Sequence, residues 1–357
     1  MNKKICLKDI AQKVGVSTAL VSYVLNNKKE GRIKKSVAEK IREVAMELNY
    51  RTNQIAKSLK TSKTNTIGLI VADISNPFSS GLARIIEDEA EKNNYTVIFG
   101  SSDENLQRSN KLVDTFLNRQ VDGLIITPGE NTAPQVISLL KQNIPFVLVD
   151  RYFPEIKTNY VALDNFKASF TAIQHLANCG YKKIAMISFE TKLFTIQERK
   201  RGYIAALGKN GIVFDTKHLI EIGNGDMKTN VENAINDLMS PDQPVDALLF
   251  ASNAIATHGL RHINALRIKV PDQLALVTFD RTDAWDLFYA PLTYLDQPLP
   301  EMGRLATKIL LEAIEGNNTI TQLNLTAELV IRSSSVIPAH QKRSFKKPLF
   351  SPPKLEV

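Results

Sequence analysis

Residues 7–26, LKDIAQKVGVSTALVSYVLN, decide how the rest of the chain is read. Ile10, Ala11 and Val14 form one apolar stripe at helical spacing, and Val21, Val24 and Leu25 form a second. Gly15 between them suits a sharp turn, because glycine enters positive φ at little cost. Ser17 can cap the second helix by accepting from its first free backbone N–H groups. The spacing predicts a helix-turn-helix whose second helix offers its N-terminal side chains to the major groove, although it also fits an ordinary helical hairpin. Residues 27–33 are polar and read as a loop. Residues 34–49, KKSVAEKIREVAMELN, then place Val37, Ile41, Val44, Ala45 and Leu48 on one face of a third helix, giving the first two a surface to bury against.

Charge supports the polyanion reading. Of the net +8, residues 1–63 carry 15 Lys/Arg against 5 Asp/Glu and residues 340–357 carry 5 against 1, so the stretch between is mildly acidic. A small basic head on an acidic body predicts a nucleic-acid module joined to something else. With 357 residues, 43% hydrophobic and 23% charged, the chain reads as a soluble protein of two or three domains. The start, MNKKICLKDI, lacks the apolar region of a secretory signal, and no run approaches eighteen apolar residues. The expectation is therefore a cytoplasmic protein with no membrane span. Cys6 and Cys179 fit no metal-ligand spacing and read as free thiols; neither metal nor cofactor is expected.

Residues 51–64, RTNQIAKSLKTSKT, have only Ile55, Ala56 and Leu59 as apolar side chains. Such a segment buries little of itself and reads either as a solvated linker or as a helix formed only on DNA, with Leu59 pushed between minor-groove base pairs. From Thr66 the pattern changes to apolar runs of strand length: 66–72, 95–101, 121–127, 145–150, 183–188, 246–252 and 274–280. Amphipathic stretches such as 80–93 and 107–119 lie between them. Val/Ile/Leu-rich strands alternating with helices predict parallel sheets covered on both faces, and their number favours two α/β lobes with a cleft between.

The run from Ile5 to about Arg332 resembles the LacI/GalR family of bacterial transcription repressors. The matches are KDIAQKVGVSTALVSYVLN (8–26), LNY (48–50), AKSLKTSKTNTIGLIVADISNPF (56–78), DG (122–123), DR (150–151), GY (180–181), RKRGY (199–203), SN (252–253), FD (279–280) and PLTYLDQP (291–298). The resemblance implies an all-α helix-turn-helix headpiece (1–52), a hinge helix (53–64) and a two-lobed effector-binding and dimerisation domain (65–335). That domain would be like periplasmic sugar-binding proteins, with lobe crossings near 163, 295 and 325. The tail, 336–357, is rich in Pro, Ser and Lys, lacks leucine heptads and is expected to be disordered, so a dimer rather than a tetramer is the expected state.

The resemblance further implies double-stranded operator DNA as partner, with contacts at Ser17, Thr18, Ala19, Ser22, Tyr23 and Asn26 in the headpiece and at Asn53, Ala56, Leu59 and Lys60 in the hinge. Thr18 and Ala19 suit a thymine methyl, and Tyr23 can make one hydrogen bond or serve as packing; none is an arginine reading guanine, which shifts weight to DNA shape. It also implies a small effector held by Asn76, Phe78, Asp150, Arg151, Arg199, Asn253, Asp280 and Gln297, a set similar to ribose-type pockets. Planar polar groups for hydroxyls and an aromatic platform for the ring are what a monosaccharide needs. Two positions depart from the pattern. Ala254 replaces an acid, and Ser79 stands where a second aromatic is usual, pointing to a larger or differently oriented ligand.

Other readings compete. For an enzyme, GNG at 223–225 lacks the third glycine of a dinucleotide turn, and HGLRH at 258–262 lacks the glutamate of a zinc hydrolase, so His258 and His262 read as a helix-surface pair. No Ser or Cys sits in a nucleophile motif. A periplasmic sugar-binding protein without a regulatory role conflicts with the basic head. A purine or phosphorylated-sugar effector stays open, since Arg151 and Arg199 could pair with phosphate.

Overall fold

The computed structural model describes residues 5–26, 32–50, 63–223, 225–242 and 244–336. The chain divides into two compact units, Met1–Thr64 and Asn65–Val357.

In the first unit, α1 (Leu7–Val14), α2 (Thr18–Leu25) and α3 (Lys35–Glu47) pack around Ile10, Val21 and Ile41, which are fully buried, with Ala11, Val24, Val44 and Ala45 around them. Gly15 ends α1 in the left-handed region at φ 81°, where a side chain would strain the turn. The Ser17 side chain accepts from Leu20 N at 3.2 Å and caps α2. Lys13 and Glu47 join α1 to α3 by an exposed ion pair at 2.6 Å, a small contribution beside the core. This is the helix-turn-helix expected from the apolar spacing.

The second unit holds two six-stranded sheets. The first contains β1 (Thr66–Val71), β2 (Thr96–Ser101), β3 (Gly123–Ile126), β4 (Phe146–Asp150), β5 (Tyr160–Leu163) and β11 (Gln322–Leu325) in the order β11-β5-β4-β3-β1-β2, all parallel. The second contains β6 (Ile184–Phe189), β7 (Leu219–Ile222), β8 (Ala247–Phe250), β9 (Ala275–Phe279), β10 (Thr293–Asp296) and β12 (Glu328–Val330) in the order β12-β10-β9-β8-β6-β7, with only β12 antiparallel.

The chain passes between the sheets after β5, after β10 and between β11 and β12. The helices α4 (Pro77–Lys92), α5 (Leu106–Asn118), α6 (Ala133–Lys141) and α12 (Leu299–Ile314) belong to the first lobe. The second holds α7 (Asn165–Asn178), α8 (Phe194–Lys209), α9 (Met227–Leu238), α10 (Asn253–Ala265) and the short α11 (Ala284–Leu287). Each sheet has an apolar cluster on either face, which explains why the central strands are continuous runs of Val, Ile and Leu. In the second lobe α8 crosses α7 so closely that a Cβ on Gly202 would lie 2.2 Å from the Phe166 carbonyl oxygen. Glycine is required there by contact with backbone.

Candidate functional site

On the headpiece, Ser17, Thr18 and Ala19 are exposed together at the N-terminal end of α2, while Ser22 and Tyr23 are half-buried. Asn26 is the C-cap of that helix, and its Nδ2 donates to Ser22 O at 2.8 Å, a local role that competes with reaching a base. Asn53, Ala56, Leu59 and Lys60 lie outside the described residues.

In the second unit, loops that follow the C-terminal ends of strands in both sheets enclose a cleft of about 320 Å³. Open α/β sheets bind ligands at such strand ends because loops and helix N-termini gather there. Seven of the eight effector positions anticipated from sequence line it: Asn76, Phe78, Asp150, Arg151, Arg199, Asp280 and Gln297. Asn76 caps α4 by accepting from Phe78 N at 3.0 Å, which fixes both side chains at the rim. The eighth, Asn253, does not line the cleft. Its amide is spent across it, giving a bond to Asn76 Oδ1 at 2.8 Å and accepting one from Asn76 Nδ2 at 3.2 Å. Ser79 is buried on the cleft wall, and Ala254 lines the opposite side.

Arg199 is the centre of the arrangement and is 6% exposed. Its Nε donates to Asn165 Oδ1 at 2.6 Å, its Nη1 donates to Ala251 O at 2.5 Å, and its guanidinium lies 3.8 Å above the centre of the Phe279 ring. Nη2 is left for the cleft. Burial lowers the pKa of Arg199, opposed by the charges of Asp280 and Asp150. Asp280 accepts from Gln297 Nε2 at 2.6 Å through Oδ1, and Trp285 Nε1 donates to the Asp280 carbonyl at 2.7 Å. Burial raises the pKa of Asp150; Arg151 and Arg199 pull it down, while Asp280 and Glu104 push it further up. For Arg151, burial acts downward but the hydrogen bonds and charge of Glu104 outweigh it, so its pKa is raised.

Several participants were not singled out from sequence. Glu104 holds Arg151 in a two-pronged pair at 2.7 and 2.8 Å, which commits a guanidinium that could otherwise face a ligand. Glu130 of the first lobe accepts from Thr191 Oγ1 at 2.8 Å and from Lys192 N at 3.2 Å in the second, a second tie across the cleft. Asn165 orients Arg199. Its place in LDN (163–165), just past a strand end, was a usable signal; Glu104 and Glu130 are loop acids with no motif to mark them. His262 bonds to Asn236 at 2.8 Å on the surface, and the described residues contain no group of His, Cys, Asp or Glu able to hold a metal. No described helix is long and apolar enough to cross a membrane.

A helix-turn-helix unit joined to a two-lobed unit with a polar cleft at its strand ends defines a ligand-responsive DNA-binding protein. Residues 6–53 match the family described as "Bacterial regulatory proteins, lacI family", and residues 173–335 match a "Periplasmic binding protein-like domain". The probable HTH-type transcriptional regulator EndR of Paenibacillus polymyxa is 32% identical over 312 residues, covering 87% of this chain and 90% of the relative. A putative ribose operon repressor from Burkholderia thailandensis superposes with TM-score 0.68 at 27% identity, covering 74% of this chain and 98% of that one. The lac repressor dimer bound to operator and the anti-inducer ONPF gives TM-score 0.82 at 20% identity over 94% of this chain and all of that one, a likeness of fold. The chain belongs to the LacI family and is a transcriptional regulator with a DNA-binding helix-turn-helix and a periplasmic-binding-protein-like effector domain.

Proposed function

We propose that this regulator is a cytoplasmic repressor that binds a pseudo-palindromic operator as a homodimer and changes its grip when an unphosphorylated monosaccharide occupies the cleft. One observation carries the effector reading. Asp150 of the first lobe and Asp280 of the second both line the cleft around the buried Arg199. A sugar's adjacent hydroxyls donate to carboxylates and accept from a guanidinium, so one ring bridges both lobes. The cleft lining has six acids, Asp73, Glu104, Glu130, Asp150, Glu190 and Asp280, against Arg151 and Arg199. That surplus weighs against a phosphorylated effector, because low-dielectric walls focus the negative potential. A purine brings ring and amino N–H donors but no adjacent hydroxyls to bridge the two carboxylates.

Binding by both lobes favours one lobe arrangement over another, and a coupling of about 1–3 kcal/mol to DNA affinity is typical of such devices. By reciprocity the operator changes sugar affinity by the same factor. In the headpiece Ser17, Thr18, Ala19, Ser22, Tyr23 and Asn26 are the proposed DNA-facing residues. Asn53, Ala56 and Lys60 track the backbone while Leu59 wedges the minor groove.

The test begins with a thermal-shift screen of pentoses, hexoses and their phosphates, followed by operator titration with each hit. A sugar without phosphate that raises the melting temperature and alters operator affinity is the expected result. A tight-binding sugar that leaves operator affinity unchanged sinks the regulatory reading. Footprinting at saturating protein should protect two half-sites related by a two-fold axis, and Leu59→Ala should lower operator affinity and bending together.

A further inference from the structure

We infer that the effector carries a positive charge: an amino-substituted sugar or polyol, with its ammonium group directed toward Asp150. This rests on the cleft being a sugar site, and it goes further by fixing the ligand's charge and donor count. Most charges in the cleft already have partners. Arg151 is held by Glu104 through two hydrogen bonds, so that pair is neutral. Arg199 has Asp280 as its strongest electrostatic partner, ahead of Asp150. Glu130 is occupied by Thr191 and Lys192 N. Asp150 remains. Its carboxylate, 15% exposed, accepts no hydrogen bond from a described residue, and its ion-pair partner is the already committed Arg151, at 3.6 Å.

A second observation points the same way. Gln297 is 5% exposed and lines the cleft; its Nε2 is satisfied by Asp280, but its Oε1 is buried with no partner among the described residues. A buried acceptor without a donor is destabilising, so the site gains from a ligand that supplies N–H or O–H groups. A hydroxyl brings one donor together with two acceptor lone pairs, whereas an ammonium brings three donors and no acceptor. In a lining where acids outnumber cations six to two, replacing one hydroxyl by an ammonium satisfies more acceptors and adds charge attraction.

The experiment uses the full chain and three matched sets of probes: D-glucose, D-glucosamine and D-glucose 6-phosphate, with the corresponding galactose and mannose sets. Affinities are measured by titration calorimetry at a pH where the amine is protonated. For at least one set the amino sugar should bind about tenfold more tightly than its parent, and the phosphate should bind least, as charge-assisted hydrogen bonds to a buried carboxylate predict. Asp150→Asn should bring the amino-to-parent ratio close to one, while the exposed control Glu155→Gln leaves it unchanged. Should Asp150→Asn fail to fold, raising the pH through the ammonium's own pKa with the unaltered protein must abolish the preference. A parent sugar that binds as tightly as its amino form overturns the charge inference and leaves the sugar reading standing. If none of the nine probes binds, this inference falls, and the broader screen of pentoses and hexoses decides the sugar reading separately.

Discussion

Asp150 closes β4 in the first lobe and Asp280 follows β9 in the second, and both adopt a left-handed backbone, at φ 68° and 69°. Such a conformation costs a non-glycine residue about 1–2 kcal/mol and persists only when its surroundings enforce it. The surroundings differ. Asp280 is held by hydrogen bonds: its N–H donates to Leu295 O at 3.0 Å, its carbonyl accepts from Trp285, and its carboxylate accepts from Gln297. The Asp150 carboxylate has no such hydrogen bond from a described residue and is placed by charge: Arg151 beside it, Glu104 behind that, and Arg199, whose charge acts on both acids. One strand-end geometry, used in both lobes, thus yields a carboxylate fixed in position and another governed by its electrostatic neighbours. Salt and pH should act on the Asp150 carboxylate, whose pKa burial raises.

The largest effect comes from removing what the two share. Arg199→Ala leaves both acids around a cavity with no central cation, and breaking a buried charge constellation by losing one member costs about 3–5 kcal/mol. The expected result is a lower melting temperature for the effector unit and loss of the effector response, with operator binding by the unliganded protein retained. Operator titration with and without effector, alongside thermal unfolding, reads all three. An intact response would remove Arg199 from the site.

The next prediction separates the two acids. The folded-state pKa of Asp150 is raised above the value of about 3.9 expected when unfolded, so its ionised form is a burden on the native state at neutral pH. That burden is relieved as pH falls through the raised pKa, and the gain is complete below the unfolded value. Asp150→Asn should therefore raise the melting temperature at pH 7, and its advantage over the parent protein should shrink as the pH is lowered. Asp280→Ala should instead lower the melting temperature at pH 7, since it strands the Gln297 Nε2 donor, a loss of about 1–3 kcal/mol. Thermal unfolding of both variants between pH 4 and 7 checks the contrast. Equal signs for the two would mean the lobes are not tuned differently.

What the sequence made legible follows the same physics. Central strands such as 66–71 and 275–279 are buried on both faces and stand out as apolar runs. The edge strands β7, β11 and β12 carry Glu221, Asn324 and Glu328 because one side of each faces solvent, so LIEI, QLNL and ELV gave no such signal. In the cleft, family motifs pointed to the side chains at strand ends, and these line one cavity. They could not show that Asn253 bonds to Asn76 rather than lining the wall, nor that Glu104 claims Arg151, because both depend on which loops meet across long sequence separations. The hinge positions Asn53, Ala56, Leu59 and Lys60 stand as sequence expectations outside the described residues.

The smallest effect sharpens the claim that Asp280 is held by hydrogen bonds. Trp285 is the chain's single tryptophan and is 1% exposed, packed in the apolar cluster on one face of the second sheet. Trp285→Phe keeps most of that packing but deletes the N–H that holds the Asp280 carbonyl. One lost neutral hydrogen bond is worth about 1 kcal/mol, and the carbonyl left behind is no longer tethered in its left-handed turn. Effector affinity should fall about fivefold, the conversion of that energy, through a faster off-rate, while operator affinity without effector stays the same. Because no other tryptophan contributes, intrinsic fluorescence of the unaltered protein should also change when the cleft is filled. Trp285→Phe with unchanged effector affinity but a lowered melting temperature would assign the indole to packing alone, and Asp280 would then owe its orientation to Gln297 and Leu295.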